Sequence, residues 1–301
     1  MTDFLSIKKA VLKKAYCLLG FFFILGGACF AQNKARADSL EARYSSGNFG
    51  EEERLQLLKA LAAEEPNPDK AIQYSETLLK LAKAVDSAKF IIGALMQKGN
   101  ALRLKGDLSQ SLESYFEGIK IADSIGRKSD LGRLYVSIAG AYSVMENHEN
   151  TIAYYKNAID IFKELKDTLM YANAIENLGD HYNLYMAEPD SALILFKESG
   201  AIFKKLNNKT GLAYNLGNVG LAYAQLGETE TAEINISQAT KLLEEVGDFY
   251  PIAVYLTYMS EIYADKKDWD AAFDYAQRSL RLAKQYGLKE QISDAFLKLS
   301  E

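Results

Sequence analysis

Small and bulky residues recur in this chain on a fixed frame. The stretch LGNVGLAYAQLGETETA at 216–232 has small residues at Gly220 and Ala232, a bulky one at Tyr223 and a turn-former at Gly227. Steps of about forty residues from Gly220 land on Gly179, Ala139 and Gly99 in one direction and on Ser260 and Ser300 in the other. Three residues after these stand Leu102, Tyr142, Tyr182, Tyr223 and Tyr263. About twelve residues after the small column comes another, Ser111, Thr151, Ala192, Ala232 and Ala272, followed by the bulky Tyr115, Tyr155, Phe196 and Ile236. Ala276 breaks this last column, and one extra residue enters the period near Pro189. Self-similarity of this length is the mark of a solenoid built from one repeated supersecondary unit.

Each unit reads as two amphipathic helices joined by a tight turn. The small residue of the first helix lets the second approach closely, and the bulky residue after it fills the space beside that contact. Asp107, Asn147, Glu188, Glu228 and Asp268 fall between the halves, where Asp107, Asn147 and Asp268 can cap the second helix. Asp107 followed by Gln110 resembles a capping box. Helix breaks are expected near residues 66, 106, 146, 187, 227 and 267. A phosphate-cradling loop needs a strand before its glycines, and none precedes Gly217 and Gly220.

Small–x–x–Tyr, then Gly, then Ala–x–x–x–Phe/Tyr resembles the tetratricopeptide repeat, most closely in NLGDHY with ALILF and in NVGLAY with AEINI. The resemblance covers residues 52–301 and implies an all-α, right-handed superhelical solenoid of stacked antiparallel helix pairs. It implies about six units plus a truncated seventh, each with helices longer by most of a turn than the usual repeat. A weaker first copy has Ala62, Pro66, Asn67 and Ala71 in frame, but Lys59 at the small position and Ser75 at a bulky one, as a terminal capping unit would.

Residues 1–31 follow another plan. IKKAVLKK is basic, AYCLLGFFFILGGA is apolar, and a small-residue cleavage site follows at Ala31, the order of a secretory signal peptide. Acylation at Cys29 is the alternative, and retention of the segment as a membrane anchor a third. Residues 32–51 read as a polar linker. Both cysteines, Cys17 and Cys29, lie in this leader, so a chain cleaved after Ala31 has no disulfide, no thiolate metal site and no cysteine nucleophile.

The net charge of −5 includes four lysines and one acid in the leader, leaving the remainder near −8. Nucleic-acid binding needs a basic stripe, and the densest basic run, KKLNNK at 204–209, falls at a turn between units and reads as solvated. His148 and His181 are too far apart in the repeat frame to share a metal, and both read as surface or groove residues. Glu244 and Glu245 end a helix and face water. No metalloprotease, hydrolase-elbow or phosphate-loop motif occurs. No catalysis within residues 1–301 and no cofactor are expected.

Binding remains. In tetratricopeptide arrays the first helices line a concave groove, so the resemblance implies a protein or peptide ligand there. Asn177 and Asn218 fall two residues before the small column, where an amide offers both donor and acceptor to an extended peptide. Asn100 and Asp180 come just after it, and Arg103, Arg133, Asn173 and Tyr214 share the expected face; the alternative is that all eight are solvated on an unoccupied surface. The tyrosine column reads as core.

The frame ends inside the first helix of a further unit, QISDAFLKLSE, which reads as a piece of a longer array. The chain is similar to bacterial proteins in which a signal peptide and forty-residue repeats precede a membrane helix and a cytoplasmic output, an adenylate/guanylate cyclase or a histidine kinase. That implies an exported sensory region at the periplasmic face of the inner membrane, able to self-associate and tethered by a parent-chain helix or an uncleaved signal. The competing expectation is a free-standing exported scaffold for envelope assembly.

Overall fold

Thirteen helices, joined by connections of two to five residues, make up the described part of this computed structural model, residues 30–286, with side chains described from residue 36. No strand occurs among the described residues. Residues 1–29, with Cys29 and all of the expected signal segment 1–31 but its last two residues, and residues 287–301, with Ser300 and most of the expected truncated unit, lie outside them. The fold is an all-α helical repeat solenoid, and the chain divides into two compact units.

The first unit spans Gln32–Asp167. It opens with α1 (Phe30–Ser45), followed by the pairs α2 (Glu51–Glu64) and α3 (Pro68–Ala84), α4 (Ala88–Lys105) and α5 (Leu108–Ser124), and α6 (Lys128–Val144) and α7 (His148–Glu164). Residues 32–51, expected as a linker, are therefore mostly helical. Arg43 of α1 pairs with Glu53 of α2 at 2.7 Å, and Tyr74 of α3 donates to Glu41 of α1. The second unit runs from Thr168 and holds α8 (Thr168–Leu184) and α9 (Pro189–Lys205), α10 (Lys209–Gln225) and α11 (Thr229–Val246), and α12 (Tyr250–Asp265) and α13 (Trp269–Tyr286).

All six expected breaks coincide with observed turns. The break near 66 is built on Glu65 in an extended conformation, whereas the turns after α3 through α12 share one construction. A single residue at positive φ ends each of those helices: Gly106, Glu146, Ala187, Gly227 and Lys267 within pairs, and Asp86, Gly126, Lys166, Asn207 and Gly247 between them. The next N–H then bonds back to the carbonyl five residues earlier, as in Asp107 to Leu102, Asn147 to Tyr142 and Asp268 to Tyr263. This is the Schellman closure, which satisfies carbonyls that the helix end leaves free. After α8 the turn holds one more residue, and Glu188 bonds to Tyr182, six back; this is the insertion seen near Pro189.

Asp107, Asn147 and Asp268 do cap, accepting from the N–H groups of Gln110, Asn150 and Ala271. The capping box at Asp107 is not reciprocal, however. The Gln110 amide donates to the Asp107 carboxylate at 2.5 Å instead of accepting from its N–H, because that N–H is already spent on Leu102.

The small column works through the second helix of its own pair. A Cβ on Gly99 would lie 2.4 Å from Tyr115, one on Gly179 2.6 Å from Phe196, and one on Gly220 2.6 Å from Ile236. These bulky partners are buried to 3 % exposure or less, and Ser111 donates to the Gly99 carbonyl at 2.8 Å across the same contact. Of the tyrosine column, Leu102 is buried, but Tyr142, Tyr182, Tyr223 and Tyr263 are only half-buried, so that column edges the core instead of filling it. The two helices of a pair differ in surroundings. Eleven of the 17 residues of α8 are buried, against five of 17 in α9, because a first helix packs against its partner and against the first helices of neighbouring units as well. Polar residues on first helices are thereby drawn into the interior.

Candidate functional site

The second unit concentrates polar chemistry on α8. Asn173, Glu176, Asn177, Asp180, His181 and Asn183 are all buried there, which an exposed groove would not produce. On the 100° step of a helix, Gly179 faces α9, Glu176 turns toward α10, and Asn173, Asn177 and Asp180 form a stripe at i, i+4 and i+7 on the side away from α9.

Glu176 is wholly buried and was not singled out by sequence. Its Oε2 accepts from Asn215 Nδ2 at 2.8 Å and from the Ser199 hydroxyl, and its Oε1 accepts from Asn218 Nδ2 at 2.9 Å. Asn215 also donates to the Phe196 carbonyl at 2.8 Å, which ties α8, α9 and α10 to one carboxylate. Burial pushes the Glu176 carboxyl up to about 7, while the three donors pull it back. Asp180, one turn on, is raised well above the carboxylate range by burial and by the nearby Glu176.

A third buried acid, Asp248, sits in the turn before α12. It accepts from the Tyr214 hydroxyl at 2.7 Å, and burial raises its carboxyl to about 6 against the pull of that bond and of the Tyr250 backbone. Tyr255 of α12 packs over Gly217 of α10, where a Cβ would meet its hydroxyl at 2.2 Å. Burial raises this phenol, and Asp180, Glu176 and Asp248 all lie close enough to add to the effect.

The eight candidate residues thus separate. In this unit Asn218 is committed to Glu176 and Tyr214 to Asp248. Asn173 Oδ1 and both side-chain heteroatoms of Asn177 are buried without a hydrogen-bond partner, as are Asn183 Oδ1 and the Tyr255 hydroxyl. In the first unit Asn100 accepts from the Tyr115 hydroxyl at 2.7 Å, so it braces the core. Arg103 stands by the same hydroxyl, and its positive charge eases the rise that burial imposes on Tyr115. Arg133 is half-buried on α6. Near it the Lys59 ammonium is pushed down by burial; Asp130 opposes this, while Arg133, Lys89 and Arg127 add repulsion. Lys59, out of place in the small column of the first copy, lies over Gly93 of α4. Glu176 and Asp248 escaped the repeat frame because they come from positions that vary between copies.

His181, read as a surface or groove residue, is 1 % exposed and stacks on Tyr185 at 5.3 Å. Glu244, Glu245 and the run 204–209 are at the surface as expected, with only Asn208, the cap of α10, partly buried. Among the described residues no group of three His, Cys, Asp or Glu side chains could hold a metal ion, and no helix is long and apolar enough to cross a membrane. A separate groove of about 630 Å³ opens along α9, α10 and α11, lined by Leu193, Ile194, Leu216 and Val219 with Lys197 and Lys204 among them.

No curated protein sequence matches this chain. Among solved structures it is similar to a Rap protein complexed with competence and sporulation factor, at 14 % identity and a TM-score of 0.65 over 96 % of this chain and 80 % of that one. It is similar to NprR in complex with its cognate peptide NprX, at 16 % identity and 0.62 over 81 % and 70 %. BtubC from P. vanneervenii aligns at 18 % identity and 0.55 over 72 % and 91 %. Residues 130–205 match the tetratricopeptide repeat family model, and the described residues fold as a tetratricopeptide-like helical repeat solenoid.

Proposed function

We propose that this chain is a non-catalytic repeat region that binds a protein or peptide, and that it serves as the extracytoplasmic input of a membrane signal transducer. Its output, outside residues 1–301, is an adenylate/guanylate cyclase, with a histidine kinase as the alternative. The observation that carries the binding reading is Asn177. Both ends of its amide are buried and unbonded, at a cost of about 1–3 kcal/mol per unsatisfied group. A peptide backbone running past it offers the missing donor and acceptor. The Rap and NprR structures, each solved with a bound factor or peptide, support the same reading. The export part rests on the leader at residues 1–31.

Display of random peptides against the full chain tests the binding part. A set of peptides is enriched, and Asn177→Ala weakens their binding about tenfold while the thermal midpoint holds. No enrichment by the wild-type chain overturns the reading. Alkaline phosphatase fused after Glu301 tests export: activity in intact cells supports it, and activity only after lysis refutes it. Reading the gene beyond codon 301 then decides between a transducer, with an apolar span of ~20 residues and an output domain, and a free-standing scaffold.

A further inference from the structure

The carboxylate of Asp180 differs from its neighbour. Glu176 has three donors on its two oxygens. Asp180 is 5 % exposed, yet no hydrogen bond or ion pair joins it to another group among the described residues. The charged and titratable groups around it are Glu176 on its own helix and Tyr255 from α12, and neither brings a positive charge. His181, the next residue, is on the neighbouring flank of the helix and stacks on Tyr185. A buried carboxylate with no donor and a second acid beside it is unfavourable unless it keeps a proton or meets a cation.

The same stripe supplies the rest of a cation's surroundings. Asn173 Oδ1 and Asn177 Oδ1 are buried acceptors without donors, two helical turns and one helical turn respectively from Asp180 along the i, i+4, i+7 line. The Asn177 oxygen, one turn from Asp180, can meet one cationic group together with the carboxylate, whereas Asn173, about 10 Å along the axis from Asp180, borders the site. The Tyr255 hydroxyl, also unbonded, adds a fourth polar group on the α12 side.

We infer that Asp180, with Asn177 beside it, receives a cationic side chain of a bound peptide, lysine or arginine. This rests on the peptide-binding reading and names the residue class it selects. Burial and the nearby Glu176 favour the protonated form of Asp180 in the empty site; the ligand's cation displaces that proton to solvent, so a neutral peptide gains nothing from the acid. Specificity arises because a ligand without the cation leaves the buried acceptors unpaired.

The same peptide display, repeated with Asp180→Asn, tests this. The substitution keeps the shape and removes the charge, and circular dichroism melts check that the fold is retained. The wild-type chain should enrich peptides with lysine or arginine at one fixed position, and Asp180→Asn should lose that preference while keeping the others. Replacing that lysine by norleucine in one enriched peptide should weaken binding to the wild type about thirtyfold and to Asp180→Asn less than about threefold. Enrichment without a cationic position, or the same lysine preference in Asp180→Asn, overturns the cation site and leaves peptide binding standing. No enrichment at all overturns both.

Discussion

Asn218 Nδ2 lies 2.9 Å from Glu176 Oε1, joining two first helices across 42 residues of sequence. The bond belongs to the seam between successive repeats, and the burial of Glu176 in that seam, which the bond only partly offsets, makes the stability of the second unit depend on proton uptake. Glu176 is raised to about 7 and Asp248 to about 6, from ordinary values of 4.5 and 3.8, and Asp180 shifts the same way. A carboxyl raised on folding binds its proton more tightly in the folded state. The stability it contributes is present in full below the unfolded value and is lost as pH rises through the folded one. The protein should therefore melt at higher temperature at pH 5 than at pH 8. Glu176 accounts for on the order of 2–3 kcal/mol of the difference, and thermal melts of Glu176→Gln should show a shallower pH dependence.

Gly179 and Asn177 are two residues apart on α8 and should respond oppositely to substitution. Gly179→Leu drives a side chain into Phe196, already 2.6 Å from where a Cβ would stand, and should cost on the order of 1–3 kcal/mol by overpacking. Asn177→Ala removes a buried, unbonded amide and should fall within about 0.5 kcal/mol of the wild type or gain slightly. Urea unfolding of both variants checks this; equal losses would mean that Asn177 has a bonding role the folded chain does not display.

Glu146 and Lys166 end their helices at φ +56, a conformation that costs a residue with a Cβ about 1 kcal/mol relative to glycine. Glycine gives back part of that in unfolded-chain entropy. Glu146→Gly and Lys166→Gly should each stabilise by a few tenths to about 1 kcal/mol. Gly106→Ala, at φ +90, should lose at least as much. Thermal midpoints of the three variants read the sign directly.

Caps give a fourth test. Asn147 accepts from Asn150 N–H at the start of α7, whereas Glu228, in the same column before α11, makes no side-chain cap bond. Asn147→Ala should cost about 1 kcal/mol, and Glu228→Asp should gain up to about that much. Equal unfolding free energies for Glu228→Asp and the wild type would show that the free N–H groups of α11 are already well served by water.

The sequence by itself determined the period, the helix breaks, the capping residues and the contact between the small and bulky columns. Each of these lies within one pair of helices: Gly99 with Tyr115, Asn147 with Asn150, and Asp107 with the turn that closes on Leu102. Such contacts depend on local geometry that every copy must repeat, so they surface as columns. The tertiary structure decided what the polar residues of the first helices do. Asn218 and Tyr214, expected in an open groove, are bonded to Glu176 and Asp248, 42 and 34 residues away. The stacking of neighbouring units encloses those side chains, and which of them find partners depends on residues that differ from copy to copy. Asn173 Oδ1, Asn177 and Asp180 find none among the described residues, because no neighbouring helix brings a matching group to that side of α8.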